Sequence, residues 1–195
     1  MTDSLALTYA KKLIACESIT PATGPVFDAL EQMLIPLGFA VNRFLAGEDD
    51  HNPAHGAPVE NLFAIRKAPG RHFAFAGHLD VVPPGDGWGS DPFVPEIRGD
   101  LLHGRGAVDM KGSIAAFVAA LHSISQDAGT ISMIITGDEE GPAIHGTRAL
   151  IDYMQAHQSI PDFCLVGEPT SVHRLGDMMK IGRRGSVNMW ISVAG

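Results

Sequence analysis

Residues 73–80, Phe-Ala-Phe-Ala-Gly-His-Leu-Asp, decide the fold because an apolar run ends there in two groups capable of chemistry. The run 73–79 is nearly all apolar, as expected for a central strand covered on both faces. Pro83, Pro84 and Gly85 then break it. His78 and Asp80 are two residues apart, so in an extended segment both side chains point to one face. The stretch predicts a buried strand that carries a histidine and an aspartate at its carboxyl end.

The segments on either side alternate between helical and extended patterns. Apolar residues recur at helical spacing in 4–15, 25–37, 111–125 and 146–157, and strand-like runs cover 39–45, 61–66, 93–97, 101–103, 130–136 and 163–166. This alternation predicts an α/β fold with a mostly parallel central sheet. Residues 175–195 differ, because apolar residues alternate there as in a hairpin that turns at Arg183-Arg184-Gly185.

Composition excludes several classes of protein. The 195 residues are 45% hydrophobic and carry a net charge of −8, which argues against intrinsic disorder and against nucleic acid as a partner. No apolar run approaches the length of a membrane-spanning helix, so we expect no membrane partner. The N-terminus has an acid where a secretory signal has positive charge, which predicts a cytoplasmic protein. Cys16 and Cys164 are expected to be reduced thiols, although one disulfide is formally possible.

Candidate site residues follow the predicted strands or the loops after them: His78, Asp80, Asp109, Glu139, Glu140 and Glu168. Ligands of open α/β sheets bind at the carboxyl ends of the strands. Histidine and carboxylates without thiolates suit zinc or a similar divalent ion. Two structural readings stay open at this point: His78 and Asp80 could be a strand-end histidine with a turn-capping aspartate, and Asp109 could cap a helix.

The pair Glu139-Glu140 is the sharper signal. Neighbouring side chains diverge, so one carboxylate can bind a metal ion while the other acts as a general base toward water. Two acids at a strand end would repel each other without a cation.

Other motifs give weaker evidence of function. The glycines at 104 and 106 do not complete a dinucleotide fingerprint, and 85–89 lacks the Lys-Ser/Thr of a P-loop. Loop histidines 51 and 55 are expected to be solvated, and His145 is noted because it lies near the Glu pair.

Three motifs resemble those of the M20 metallopeptidases, a family of co-catalytic zinc aminoacylases and carboxypeptidases. They are Gly77-His78-Leu79-Asp80-Val81-Val82-Pro83, Gly104-Arg105-Gly106-Ala107-Val108-Asp109-Met110-Lys111-Gly112 and Asp138-Glu139-Glu140-Gly141. The segments 166–170, 175–180 and 182–186 are most similar to those of members that hydrolyse the succinyl amide of N-succinyl-LL-2,6-diaminopimelate. Another deacylase, such as one acting on acetylornithine, is the second reading.

The resemblance implies a three-layer catalytic domain and a role for each residue. His78 and Glu168 would bind one zinc ion, Asp109 would bridge, and Glu140 would bind a second ion, with cobalt possible in one site. Asp80 would orient His78, and Glu139 would be the general base. For Arg183 the resemblance suggests a carboxylate anchor for a small-molecule substrate, with a solvent-exposed turn arginine as the other reading.

The resemblance also implies a division of the chain. Residues 1–178 would be the N-terminal portion of the catalytic domain, and 179–195 would begin the connection to a lid or dimerisation domain. Family members supply a histidine for the second zinc site from near their C-terminus, and they form homodimers through the lid. From this we expect the 195 residues to be a fragment that binds the His78/Asp109/Glu168 metal more readily than the second, and that hydrolyses poorly by itself.

Overall fold

The computed structural model describes residues 3–182 and 191–193. Its four α-helices are α1 (Leu5–Ile14), α2 (Pro25–Leu34), α3 (Gly112–Leu121) and α4 (Thr147–Ala156). All four were predicted, although α3 stops four residues before its predicted end at 125. Helix α2 stops three residues early and a 3-10 turn covers Ile35–Leu37. Pro36 explains the change, since proline has no N–H to donate and its ring clashes with the carbonyl of the preceding turn. Gly38 then ends the segment at a φ of 85°.

The five-stranded sheet is mostly parallel, as predicted. Its strands are β1 (Ala40–Ala46), β2 (Val59–Arg66), β3 (His72–His78), β6 (Thr130–Thr136) and β7 (Phe163–Val166), in the order β1-β2-β6-β3-β7. Only β2 runs antiparallel to its neighbours, so the other four strands point the same way. A separate antiparallel pair consists of β4 (Glu96–Arg98) and β5 (Leu101–His103). The strand predicted at 101–103 is confirmed, whereas the strand predicted at 93–97 is shorter and begins three residues later.

The register of β3, β6 and β7 brings their carboxyl ends to one edge. His78 is paired with Thr136, and Ala76 is paired with Val166. The residues that follow each strand therefore begin at the same level of the sheet. This register places Asp80, Glu139 and Glu168 at the same edge of the sheet although they are far apart in sequence.

Helices cover both faces of the sheet, which confirms the predicted three layers. One core contains residues of α1, α2 and α3 against one face, with Phe27, Phe75 and Met133 buried in it. A smaller core packs Leu150 and Met154 of α4 against the other face. Along β3, Ala74 belongs to the smaller core and Phe75 to the larger, as strand alternation requires.

The C-terminal hairpin was predicted with its turn at residues 183–185, which lie outside the described residues. Residues 175–182 and 191–193 have no strand. The boundary between 178 and 179 stays a prediction. Within the described ranges 3–182 and 191–193, no helix is long and apolar enough to cross a membrane.

Candidate active site

His78 is the centre of the site and is almost fully buried, with 1% of its surface exposed. Its Nδ1 lies 2.8 Å from the backbone carbonyl of Asp80, an oxygen that can only accept, so Nδ1 carries a proton. The other nitrogen, Nε2, lies 3.1 Å from Asp109 Oδ1 and 3.8 Å from Glu168 Oε1. In the neutral ring Nε2 is therefore the unprotonated nitrogen and faces two carboxylates, which is how a ligating imidazole is prepared.

Asp80 does more than orient His78. Its carboxylate Oδ1 is 3.4 Å from His78 Nδ1, but the shorter contact to the ring comes from its backbone carbonyl. The buried carboxylate instead accepts hydrogen bonds from the backbone N–H groups of Glu139, at 3.0 Å, and Glu140, at 2.9 Å. Asp80 therefore ties the loop after β6 to the end of β3. This second role was not predicted, because it depends on a register that local sequence does not specify.

Asp109 lies in an irregular turn, Ala107–Lys111, that precedes α3. Its φ of −121° and ψ of 99° are not helical, and α3 begins only at Gly112. The alternative that Asp109 caps the helix is therefore wrong. The turn starts from Gly106 at a φ of 79°, where a side chain would overlap Val81 and Lys111. This turn directs the half-exposed Asp109 carboxylate toward His78.

The carboxylates of the Glu pair diverge into two groups, as predicted. Glu140 lies with His78 and Asp109, and Glu139 lies with His78 and Glu168. In each group the potential ligand atoms are within 4.8 Å of one another. The structure thus brings every predicted ligand to one place. Arg183 lies outside the described residues, so its anchoring role stays a prediction.

The charges of the site perturb one another. Burial opposes protonation of His78, but the hydrogen bond and charge of Asp80, together with Glu168, raise its pKa to about 9. Burial also works against the charged form of Asp80, yet His78 and the two backbone N–H groups lower its pKa. Burial raises the pKa of Glu139, and the like charges of Glu168 and Glu140 add to this. Burial and the charge of Asp109 raise the pKa of Glu140.

This donor set fits a divalent metal ion. One imidazole nitrogen and carboxylate oxygens converge on a small volume, where burial and neighbouring negative charges raise the pKa of Glu139 and that of Glu140. A cation would replace this repulsion with attraction and would stabilise the ionised carboxylates. The repulsion predicted from the adjacent acids is therefore present in the folded chain.

Residues that were not predicted shape the walls of the site. Met110 is fully buried and its sulfur accepts the backbone N–H of His78 at 3.4 Å. Its side chain fills the space that a Cβ would occupy on Gly77, and a Cβ on Gly167 would also overlap it. Gly77 and Gly167 could have been predicted as part of the site, because each directly precedes a candidate site residue. Nothing in the sequence distinguishes Met110 from other apolar core residues.

A cavity opens beside Asp109 and Glu140, lined also by Val81, Trp88, Leu102 and Arg105. Arg105 donates to the carbonyl of Pro84 at 2.7 Å, and its guanidinium lies 5.3 Å from the centre of the Trp88 ring. The cavity therefore combines apolar walls with one fixed positive charge. Arg105 was not predicted as a site residue, although it lies inside the motif 104–112.

Comparison with known proteins agrees with this geometry. The model of peptidase family M20/M25/M40 matches residues 74–182, more than half of the chain. Succinyl-diaminopimelate desuccinylase of Erythrobacter litoralis is 69% identical over 194 residues, which are 98% of this chain and 51% of that protein. The protein of the same name from Novosphingobium aromaticivorans is 68% identical and is matched by 100% of this chain, again over 51% of its length. The chain thus spans about half the length of these curated relatives.

Solved structures share the fold. Human carnosine dipeptidase 1 superposes with a TM-score of 0.64 at 25% identity, over 83% of this chain and 37% of that one. The M20 family metallo-carboxypeptidase Sso-CP2 of Sulfolobus solfataricus gives a TM-score of 0.65 at 21% identity, over 86% of this chain and 37% of that one. From the family match and the sheet edge that it includes, we conclude that the chain belongs to peptidase family M20/M25/M40.

Proposed function

We propose that the protein containing this chain hydrolyses N-succinyl-LL-2,6-diaminopimelate to succinate and LL-2,6-diaminopimelate, in the synthesis of lysine and cell-wall precursors. The observation that carries the proposal is the identity of 66–69% to relatives named succinyl-diaminopimelate desuccinylase. The cluster around His78 supports it, because hydrolysis of an unactivated amide needs a strong electrophile and a general base.

The metal-binding residues in this proposal are His78, Asp109, Glu140 and Glu168. Zinc is the ion that the histidine and carboxylate set favours, two ions per complete subunit are expected, and cobalt is possible in one site. Such ions supply Lewis acidity toward a carbonyl oxygen and lower the pKa of water. Asp109 would contribute to holding both ions in this assignment.

Glu139 is the proposed general base. Its raised pKa, caused by burial and the charges of Glu168 and Glu140, brings it closer to the pH at which a carboxylate can both take and return a proton. Glu139 removes a proton from the attacking water as the new C–O bond forms. It then gives the proton to the amine nitrogen as the C–N bond breaks, so that succinate and the free amine leave. Asp80 holds the Glu139 backbone in place because its carboxylate accepts a hydrogen bond from the Glu139 N–H.

Substrate carboxylates need positive partners near the cavity. Arg105 lies in its wall and is fixed by the Pro84 carbonyl and the Trp88 ring, so its planar charge is available without much loss of side-chain entropy. Arg183 is a second proposed anchor, on the basis of sequence alone. An acidic acyl group such as succinyl suits this environment better than a neutral one.

The test of this function is Glu139→Gln in the natural polypeptide that contains these 195 residues. We expect kcat for N-succinyl-LL-2,6-diaminopimelate to fall by about 10²–10⁴-fold, the usual contribution of a general acid-base group. Zinc content should stay unchanged, because this substitution leaves all four proposed ligands intact. Glu48→Gln, at an exposed loop position, is the matched control.

Two results would contradict the assignment. Near-normal turnover by the Glu139→Gln variant would show that Glu139 is not the general base. Faster hydrolysis of acetylornithine than of the succinyl substrate by the wild-type enzyme would show that its substrate is that of another M20 deacylase. A cytoplasmic location and a homodimer belong to the same proposal, and light scattering of the natural polypeptide tests the dimer.

A further inference from the structure

A second group of metal-ligating side chains lies outside the site described above. It consists of Asp50 and His55 in the loop after β1 and His145 in the loop after β6. Asp50 Oδ2 lies 2.7 Å from His55 Nδ1 and 3.1 Å from His145 Nε2. The three potential ligand atoms are all within 4.8 Å of one another. Neither histidine is a simple solvated loop residue, contrary to the expectation for His55.

The close approach of His145 Nε2 to Asp50 Oδ2 does not form a hydrogen bond. Nε2 of His145 is shielded from solvent and makes no hydrogen bond to any described residue, although it is close to Asp50. A buried ring nitrogen without a partner costs free energy, and this one lies beside an oxygen already bonded to His55. A cation among the three atoms would satisfy all of them.

The surrounding contacts hold these groups in place. The ring of His145 packs on Gly47, where the backbone φ is 89° and a Cβ would overlap the ring. The carbonyl of His145 accepts a hydrogen bond of 2.9 Å from Asn61 Nδ2 on β2. His55 lies against Asn52, whose side-chain nitrogen is 3.1 Å from His55 Nε2, so zinc binding through Nδ1 requires the Asn52 amide to turn its oxygen toward the ring. The positions of the imidazoles are thus set by structure on both loops.

The spacing fits zinc. Bonds of about 2.0–2.1 Å that meet at tetrahedral angles put ligand atoms about 3.3 Å apart. The two contacts of Asp50 Oδ2, at 2.7 and 3.1 Å, need only small side-chain movements to reach this value. Two imidazoles and one carboxylate are a common zinc-binding set, with water in the fourth position.

We propose that Asp50, His55 and His145 bind a divalent zinc ion at a site distinct from the His78 site. None of the three residues is a ligand in the proposed catalytic centre, so the inference does not depend on the proposed function. The ion connects the loop 47–58 to the segment 137–146, which carries Glu139 and Glu140. Its role is structural, since it joins two surface loops.

The test is the zinc content of the natural polypeptide after equilibrium dialysis against buffered free zinc. We expect His145→Asn and His55→Asn to bind one zinc ion fewer per chain than the wild type. His51→Asn is the matched control, because His51 is an exposed histidine of the same loop and is not in the cluster. It should keep the full zinc content. Equal zinc content in all four proteins would overturn the proposal.

A second measurement uses the unaltered protein, so it decides the matter if the variants fail to fold. Diethyl pyrocarbonate modifies accessible imidazole nitrogens, and the modified histidines are identified by mass spectrometry. Zinc should slow the modification of the partly exposed His55 severalfold and leave that of His51 unchanged. Modification of His55 at the same rate with and without zinc would refute the site.

Discussion

The His78 site and the Asp50 cluster use the same kinds of groups but are supported differently. His78 is 1% exposed, ends a central strand, and has its ring fixed by a backbone carbonyl. The side chains of His55 and His145 are 39% and 14% exposed and lie on loops. Because the first site is built into the sheet, changes in its support should affect both the fold and the chemistry. Changes in the second should affect zinc binding and the part of the stability that depends on zinc, and should leave the metal-free fold nearly unchanged.

Asp80→Asn should produce the largest effect in this comparison. Asparagine keeps the size of the side chain but presents an NH₂ group toward the N–H groups of Glu139 or Glu140, where a carboxylate now accepts both. We expect kcat to fall about 10–100-fold, the usual cost of losing a group that orients metal ligands. KM should change much less, since Asp80 does not line the cavity.

Steady-state kinetics on the natural polypeptide with the succinyl substrate measures the separate effects on kcat and KM. Asp49→Asn is the control, since Asp49 is exposed and lies outside both clusters. A rise in KM with kcat unchanged would show that Asp80 acts on substrate binding rather than on the position of Glu139.

Gly137→Ala should have the next largest effect, this time on stability. A Cβ at this position would overlap the backbone carbonyl of Ala22 and lie 2.9 Å from that of Glu60. Both carbonyls belong to backbone that hydrogen-bonds around Gly137, so neither can easily move. We expect the free energy of unfolding to fall by about 1–3 kcal/mol, as for other overpacked sites.

Urea denaturation gives this value. Gly89→Ala is the matched control because a Cβ there meets nothing within 4 Å. Equal stability of the two variants would mean that the loop before Glu139 can shift to make room for the added methyl group. The His78 site would then not be held rigidly by the sheet.

The smallest effect is expected for His55→Asn in metal-free protein. His55 is partly exposed and its pairing with Asp50 is open to solvent, so its removal costs little. We expect a smaller drop in Tm than Gly137→Ala causes, measured by thermal unfolding in the presence of a chelator. With zinc added, the wild type should gain more in Tm than the variant does. A metal-free drop as large as that of Gly137→Ala would show that the hydrogen-bonded cluster itself supports the fold.

Local sequence was sufficient for most of the secondary structure. The strands 130–136 and 163–166 were predicted at their observed bounds, because buried apolar runs between turn residues leave little choice. Errors arose where one residue overrode the periodicity, as Pro36 does at the end of α2. The alternative that Asp109 caps a helix stayed open because an acid before a helix is often a cap, and only the backbone shows the irregular turn that excludes it.

The roles found only in the structure all depend on contacts between distant segments. Asp80 reaches backbone N–H groups 59 and 60 residues away. Asp50 meets a histidine on another loop. Neither pairing leaves a pattern in the local sequence, since an aspartate in a polar loop is equally suited to solvent.

The sequence by itself determined the layered α/β class, the order of its strands along the chain, and the set of residues at the carboxyl ends of β3, β6 and β7. Hydrophobic periodicity and turn residues are local properties, so they can be read along one segment at a time. The tertiary structure alone decided the strand order across the sheet, the tautomer and partners of His78, and the meeting of Asp50 with His145. These depend on register and on the packing of loops, which bring together atoms that the chain order keeps apart.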